Sequence, residues 1–231
     1  MVLMENRPMS FYQLFENHGL VIKVEKGQRI FQEGQRVENL FLIRSGMIQI
    51  NKETEHAKEL TLRICSKNSI IGETDLFSSI THYSTTAKAL SPSELLVISK
   101  NSLELLLTEQ PSLMIEYLKW LQNENLKNQS LLRDLILNGK KGALYSTLIR
   151  LANTYGEVQS ENQIFINYHL TNTDIANLCA TSREMINRML NDLKKQNVIV
   201  DDKGYITILD LAYLKKEICC ENCPVSVCRI D

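Results

Sequence analysis

The stretch TNTDIANLCATSREMINRMLNDLKKQ, which begins at Thr171, constrains the fold of this chain more than any other. Thr171 is followed three residues later by Asp174, a pattern that predicts the capped start of a helix. Thr181 is followed three residues later by Glu184, which fits a capping box and predicts the start of a second helix. The turn between the helices has room only for residues 179–181. Two capped helices joined by so short a turn are typical of a helix-turn-helix that binds DNA.

The second predicted helix has an apolar face and a polar face. The apolar residues recur at i, i+3, i+4 and i+7, the spacing of a helix packed on a core, and are Ile186, Met189, Leu190 and Leu193. The polar face carries arginine, which pairs with guanine, asparagine, which reads adenine, and glutamate, which accepts a hydrogen bond from cytosine. The residues that we predict to contact DNA are Thr171, Ser182, Arg183, Glu184, Asn187 and Arg188. The alternative interpretation is a surface helix with a solvated polar face.

The composition is that of an ordinary globular protein, with 44% hydrophobic and 23% charged residues. Between Lys140 and Lys216 ten Lys or Arg residues stand against eight Asp or Glu residues, so the DNA interpretation depends on where the charges lie. No apolar run approaches the ~20 residues of a membrane span, and the N-terminus does not resemble a signal peptide. We therefore expect a cytoplasmic protein with no membrane partner. No nucleophile–base pair or open catalytic metal motif is present, so we expect no enzyme.

The N-terminal part of the chain predicts a short helix at residues 10–20, followed by a domain built from strands. From Val21 to Ser99, short segments of alternating polarity are separated by glycines at turn positions. Many short strands with glycine turns predict an antiparallel barrel or a double-sheet roll.

A helical pattern follows from Asn101 to Asn138, with a turn at residues 110–112, where Pro111 suits the first turn of a new helix. In this second helix, residues at alternating spacings of four and three predict a coiled-coil seam of about three heptads, and hence a dimer. The seam residues are Met114, Leu118, Leu121, Asn125, Asn128, Leu132 and Leu135. Packing of the same helix on its own β-roll is the alternative.

The C-terminal part predicts a winged helix around the helix-turn-helix. Residues 138–142 form a glycine-containing break, and a helix is predicted from Ala143 to Tyr155. Two apolar segments flank the turn at Asp201–Gly204 and predict a β-hairpin. A short helix at residues 209–218 completes the domain.

These elements predict an α+β fold with four parts. A β-roll, which is a sensor or scaffold domain, occupies residues 1–110, and a long dimerisation helix occupies 111–138. A winged helix-turn-helix that binds DNA occupies 139–218, and a cysteine-rich tail occupies 219–231.

Together these parts resemble the Crp/Fnr family of bacterial transcription regulators, over nearly the whole chain. The most specific match is Ser182-Arg183-Glu184 with Arg188, which is similar to the recognition helix of the Crp type. The resemblance implies a homodimer that binds double-stranded DNA at an inverted repeat of TGTGA-like half-sites, with RNA polymerase as a further partner. Asn187 stands where the family usually has a small residue, which leaves the middle of the half-site open.

The β-roll resembles a cyclic-nucleotide-binding domain but departs from it at the phosphate clamp. The resemblance is carried by the segments that begin at Gly27 and Leu42 and by Ile71-Gly72-Glu73. Nucleotide-binding members have an Arg-Ser or Arg-Thr pair where this chain has Tyr83-Ser84. Because a phenol cannot replace a guanidinium as a clamp for phosphate, we expect the roll not to bind cyclic AMP. The alternative is a different small-molecule effector in the roll.

Four of the six cysteines lie in the last thirteen residues of the chain. In a reducing cytoplasm such clustering indicates metal or redox chemistry before structural disulfides. Cys220, Cys223 and Cys228 form C-x2-C-x4-C, which suits a cubane iron–sulfur cluster that has one further ligand. A zinc site and a bare dithiol that oxidises to a disulfide are the alternatives.

A C-terminal C-x2-C-x4-C is similar to that of the Bacillus-type Fnr proteins, which are oxygen-responsive regulators. This resemblance implies a [4Fe-4S] cluster and control of genes for nitrate respiration or fermentation. In that group the fourth ligand is the aspartate of a Leu-Arg-Asp-Leu segment, which corresponds here to Asp134. From the residues alone, Asp134 is interpreted as a solvated charge or an ion-pair partner, and only the resemblance indicates a ligand.

Overall fold

The computed structural model describes residues 10–53, 59–72, 76–78, 81–160 and 162–231. These residues fall into two compact units. The first unit comprises the described residues of 1–53 and 64–122, and the second those of 54–63 and 123–231. Glu73, which carries part of the nucleotide-binding resemblance, lies outside the described residues.

The predicted β-roll is present as two four-stranded antiparallel sheets. The sheets have the strand orders β1-β8-β3-β6 and β2-β7-β4-β5. The sequence patterns identified all of these strands except β6 and β7. The elements are α1 (Phe11–His18), β1 (Leu20–Val24), β2 (Arg29–Phe31), β3 (Asn39–Ser45), β4 (Ile48–Glu53), β5 (Glu59–Cys65), β6 (Ile70–Ile71), β7 (Thr86–Ala89), β8 (Ser93–Ser99) and α2 (Lys100–Glu109).

Two apolar clusters stabilise the roll. One cluster joins side chains from both sheets and includes Phe31, Ile43 and Cys65. The other joins the helices α1 and α2 to the sheet that contains β3 and β8, with Phe15 and Leu103 fully buried. Cys65 is a buried core residue, and its side chain is inaccessible to solvent.

The long helix α3 (Pro111–Leu137) begins at the predicted proline. The predicted seam is partly wrong, because Met114 and Leu121 pack against the apolar cluster of the roll. A neighbouring stripe is exposed instead, and it also alternates spacings of three and four residues, as a coiled-coil seam requires. This exposed stripe consists of Ile115, Leu118, Gln122, Asn125, Gln129, Leu132 and Ile136.

A single residue, Asn138, separates α3 from α4 (Gly139–Tyr155), so the predicted break at 138–142 is much shorter than expected. Gly142 allows this close connection, because a Cβ atom added there would lie 1.9 Å from the Cβ of Asn138. The side chain of Asn138 also donates a hydrogen bond to the carbonyl of Ile218, at 3.4 Å. The junction is therefore tightly packed and has no free loop.

The winged helix is present as predicted, with a sheet larger than the one the sequence indicated. The sheet has the order β11-β12-β10-β9, and β9 was not predicted. The hairpin turn comprises only Lys203 and Gly204, both with positive φ, because β11 extends through Asp202. The elements are β9 (Gly156–Ser160), β10 (Gln163–Ile166), α5 (Asn172–Leu178), α6 (Arg183–Lys195), β11 (Ile199–Asp202), β12 (Tyr205–Ile208) and α7 (Leu211–Glu217).

The helix caps of the helix-turn-helix are partly as predicted. Thr171 and Asp174 form the expected capping box at the start of α5. The predicted cap of α6 is wrong, because Ser182 occupies the N-cap and accepts a hydrogen bond from the backbone N–H of Met185. The hydroxyl of Thr181 is buried instead and has no hydrogen-bond partner. No helix among the described residues is long and apolar enough to cross a membrane.

Candidate DNA interface and candidate metal centre

The recognition helix α6 has the two faces that the sequence indicated. Ile186, Leu190 and Leu193 are buried, whereas Met189 is half-buried. The predicted DNA-contacting residues are exposed on one face of the helix-turn-helix, and they are Thr171, Ser182, Arg183, Glu184, Asn187 and Arg188. Their side chains can therefore reach the edges of bases in a major groove without unfolding any part of the domain.

Local hydrogen bonds keep Glu184 ionised and hold the side chain of Asn187. Hydrogen bonds from its own backbone N–H and from the Ser182 hydroxyl lower the pKa of Glu184, which keeps this carboxylate ionised as an acceptor. The amide nitrogen of Asn172 donates a hydrogen bond to the amide oxygen of Asn187, at 3.3 Å. Asn172 on α5 was not identified from the sequence, because its contact with α6 depends on the angle between the two helices.

The interior of the β-roll contains an aromatic stack at the position of the missing arginine. The rings of Tyr83 and Phe31 are nearly parallel, with their centroids 4.1 Å apart. The Tyr83 hydroxyl donates a hydrogen bond to the backbone carbonyl of Asn39, at 2.8 Å. Tyr83 is therefore a buried core residue that offers no positive charge for a phosphate.

The helix α4 is buried on every side from Gly142 to Ala152. Such a helix is usually apolar all round, yet this one carries Ser146, Thr147 and Arg150, and each of them has a polar partner. Thr147 accepts a hydrogen bond from the thiol of Cys179, at 3.5 Å. Burial raises the pKa of the Cys179 thiol to about 12, so this cysteine is a buried and unreactive thiol.

Arg150 and Asp134 form a buried ion pair, with only 1% and 3% of their surfaces exposed. The Nη2 atom of Arg150 lies 2.9 Å from Oδ2 of Asp134, and the Ser146 hydroxyl donates a hydrogen bond to the same oxygen, at 2.5 Å. Arg133 donates from Nε and Nη2 to Oδ1, at 3.0 and 2.7 Å. Burial alone would raise the pKa of Asp134, but the hydrogen bonds from Ser146, Arg133 and Arg150 lower it, so Asp134 is an ionised carboxylate.

The cysteine tail begins where α7 ends. Cys219 has a positive φ of 49°. The backbone N–H groups of Cys219 and Cys220 bond to the carbonyls of Lys216 and Lys215, as in a helix C-cap of the Schellman type. Cys219 thus forms part of the backbone turn that ends α7, and its thiol is exposed to solvent.

The remaining three cysteines influence one another, and Cys223 also contacts α3. Burial raises the pKa of the Cys228 thiol to about 11, Arg150 opposes this rise, and the nearby thiols of Cys223 and Cys220 add to it. The thiols of Cys223 and Cys228 share a hydrogen bond. The sulfur of Cys223 also lies 3.9 Å from the Ser130 hydroxyl, which accepts a hydrogen bond from Arg150.

The last residues of the tail are fixed to α4. The side chain of Asn153 donates a hydrogen bond to the carbonyl of Cys228, at 2.7 Å. Thr154 accepts one from the backbone N–H of Ile230, at 3.0 Å, and Arg150 donates one to the carbonyl of Val227, at 3.4 Å. These bonds fix the end of the tail, including Cys228, to α4.

The structure therefore places the thiols of Cys223 and Cys228 in contact, with Cys223 beside the helix that carries Asp134. Within the described ranges, no group of three or more His, Cys, Asp or Glu side chains is arranged so that it could hold a metal ion as it stands. The donors are chemically suitable, since three thiols and one ionised carboxylate match the ligand set expected for an iron–sulfur cluster or zinc. Sequence reasoning missed Arg150 and Ser146, because nothing in a single sequence distinguishes them from solvated polar residues.

Two family descriptions match the chain. Residues 21–110 match the cyclic nucleotide-binding domain, and residues 142–217 match the Crp-like helix-turn-helix domain. The chain is 49% identical, over 221 residues, to the Anaerobic regulatory protein of Bacillus subtilis. The aligned residues cover 95% of this chain and 92% of that relative.

Solved structures with a similar fold include two further proteins. FixK2 from Bradyrhizobium japonicum has a TM-score of 0.72 at 12% identity and covers 86% of this chain and 96% of its own. The c-di-GMP-responsive global regulator CLP of Xanthomonas campestris has a TM-score of 0.73 at 19% identity and covers 86% and 97%. These two likenesses concern the fold alone. The 49% identical relative from Bacillus subtilis and the match to the Crp-like helix-turn-helix show that this chain belongs to the Crp/Fnr family. Members of this family are DNA-binding transcription regulators and not enzymes.

Proposed function

We propose that this protein is an oxygen-responsive regulator of anaerobic metabolism, such as nitrate respiration and fermentation, and that it acts in the cytoplasm. The observation that carries the proposal is the contact of Cys223 with Cys228 and with Ser130, which lies on the helix that bears Asp134. The relative with 49% identity is named as an anaerobic regulatory protein, which supports the same conclusion.

In this proposal, Cys220, Cys223, Cys228 and Asp134 hold a [4Fe-4S] cluster. When bound, the cluster would supply sensitivity to oxygen, because exposed iron–sulfur clusters react with it. The protein's own residues supply the framework. Arg150 and Ser146 orient the carboxylate of Asp134, and the bonds of α4 to the tail orient Cys228. Zinc and a dithiol–disulfide switch are the alternatives for the same thiols.

The same helix α4 connects the cysteine tail with the DNA-binding helices. Thr147 lies one turn from Arg150 and bonds to Cys179 in the turn of the helix-turn-helix. Helix α4 packs against α5, and α5 packs against α6. A shift of α4 at Arg150 would therefore reach the recognition helix through packed contacts. In this way the state of the tail would change the affinity for DNA without altering the residues that read the bases.

We further propose that the protein binds TGTGA-like inverted repeats as a homodimer and contacts RNA polymerase there. The exposed stripe of α3 supports a dimer, since it presents Leu118 and Leu132 to solvent in a single chain. Asn125 at the centre of the stripe would favour one register. The buried stack of Tyr83 on Phe31 supports a roll that does not bind cyclic AMP.

The cysteine assignment predicts the metal content of single variants. Protein purified without oxygen is expected to contain about four iron atoms and a broad absorption band near ~400 nm that bleaches in air. Ser in place of Cys220, Cys223 or Cys228 should remove most of the iron, whereas Cys219→Ser should retain it. Iron, sulfide and zinc assays with absorption spectra measure this. Zinc without iron in the wild type would replace the cluster by a structural zinc site.

The buried ion pair predicts that Asp134→Ala destabilises the metal-free protein. Removing the carboxylate leaves the Arg150 guanidinium buried without its counter-charge, which costs about 3–5 kcal/mol in the free energy of unfolding. Urea denaturation of metal-free protein, followed by circular dichroism, measures the loss. Glu221→Ala is the control, because this exposed acid also bonds to Arg133 and should cost less than about 1 kcal/mol. Equal small losses in both variants would exclude a structural role for Asp134.

The recognition helix predicts a specific defect in DNA binding. Arg183→Ala is expected to weaken binding to a TGTGA-type inverted repeat by about 1–3 kcal/mol, with a smaller effect on unrelated DNA. Fluorescence anisotropy at fixed salt measures both affinities, and Arg44→Ala in the β-roll serves as the control. The same loss on both DNA molecules would show that Arg183 contributes only charge.

The exposed stripe of α3 predicts the oligomeric state. Leu132→Glu should raise the dissociation constant of a dimer at least about 10-fold, since two carboxylates would be buried in an apolar seam. Analytical ultracentrifugation measures this shift. Leu105→Glu is the matched control, because Leu105 is equally exposed but lies on α2. A dimer that tolerates Leu132→Glu must use another surface.

A further inference from the structure

The carboxylate of Asp134 has no acceptor position left for a metal ion. A carboxylate accepts about four hydrogen bonds, two at each oxygen. Arg133 occupies Oδ1 through Nε and Nη2, at 3.0 and 2.7 Å. Ser146 and Arg150 occupy Oδ2, at 2.5 and 2.9 Å. For Asp134 to become a ligand, one of these donors must first leave.

Arg150 is a poor candidate for leaving. Its side chain is 1% exposed, and it also bonds to Ser130, Ser146 and the carbonyl of Val227. Separation from Asp134 would leave a buried guanidinium without its counter-charge, which is costly. The Oδ2 atom of Asp134 therefore stays bonded to Ser146 and Arg150 of α4.

Arg133 is suited to exchange. Its side chain is 24% exposed, and its other partner is Glu221, whose side chain is 67% exposed. A guanidinium that moves away from Asp134 would remain in contact with solvent and with this second carboxylate. The Oδ1 atom of Asp134 is thus the oxygen that can bind a metal once Arg133 moves away.

Arg133 also reaches the cysteine loop. Glu221, which bonds to Nη1 of Arg133, directly follows Cys220 in the chain. One side chain therefore joins the carboxylate of α3 to the segment that carries the thiols. A metal held by Asp134 and the tail cysteines would join the same two segments.

We propose that Arg133 is a built-in competitor for the metal, which binds Oδ1 of Asp134 in the metal-free protein and yields that oxygen on loading. The proposal rests on the proposed function, since it takes Asp134 as a metal ligand. Arg133 is a positioning residue that closes the metal-free site and sets a threshold for loading. Its removal should therefore strengthen metal binding, whereas loss of a merely structural contact would weaken it.

The experiment titrates metal-free protein with Co²⁺ in the absence of oxygen and follows the absorption of the cobalt–thiolate bonds. Arg133→Gln is expected to bind Co²⁺ roughly 10-fold more tightly than the wild type, the scale of changes in residues that support metal ligands. Arg133→Lys should lie between the two, because lysine keeps the charge but loses the two-pronged contact. Arg44→Gln is the matched control, since Arg44 also joins two carboxylates, those of Glu16 and Glu94.

A second measurement does not depend on metal binding. Hydrogen exchange of metal-free protein should show that residues 219–226 exchange faster in Arg133→Gln than in the wild type, because the bridge to Glu221 is lost. Co²⁺ affinity of Arg133→Gln equal to or weaker than that of the wild type would overturn the competitor role, as would unchanged exchange of the tail. Absence of Co²⁺ binding in the wild type, or binding insensitive to Cys223→Ser, would instead overturn the proposed function and, with it, this inference.

Discussion

The buried ion pair of Arg150 and Asp134 is the interaction on which the C-terminal unit depends. Two opposite charges removed from water are tolerated only when they are close and fully hydrogen-bonded, and both conditions are met here. The pair fixes α4 against α3, and the same guanidinium also holds the carbonyl of Val227 in the tail. One charged group thus organises three segments that are distant in the sequence.

Arg150 and Thr147 lie one turn apart on α4 and connect this helix to two different segments. Arg150 contacts the tail, and Thr147 contacts Cys179 in the turn before the recognition helix. Because the helix is buried on all sides, it cannot adjust at either contact by moving into solvent. In the proposed function, a change in the tail would therefore reach α6 through α4, without a separate signalling element.

The sequence predicted the elements well wherever periodicity and capping agreed, as at Thr171 and Pro111. It failed where two neighbouring residues of similar chemistry compete for one place. Ser182 rather than Thr181 caps α6, and that choice is made by the backbone, which turns left-handed just before, at Ala180. The exposed and buried sides of α3 were likewise confused, because Met114 fits either face and only the roll determines which one is covered.

The candidate metal ligands were proposed from the sequence and stay a prediction, whereas the contacts of Ser146 and Arg150 with Asp134 were not predicted. Ser146 and Arg150 stand in a stretch whose neighbours are apolar, and no local pattern shows that a tail some 80 residues later returns to them. Their role exists only in the tertiary structure, where burial makes every polar group need a partner.

The junction at Asn138 gives these helices a mechanical property. With one residue between them and the close approach at Gly142, α3 and α4 have no slack that could absorb a displacement. A rotation of α3 at Asp134 would therefore pass directly to α4, because no loop lies between the two helices.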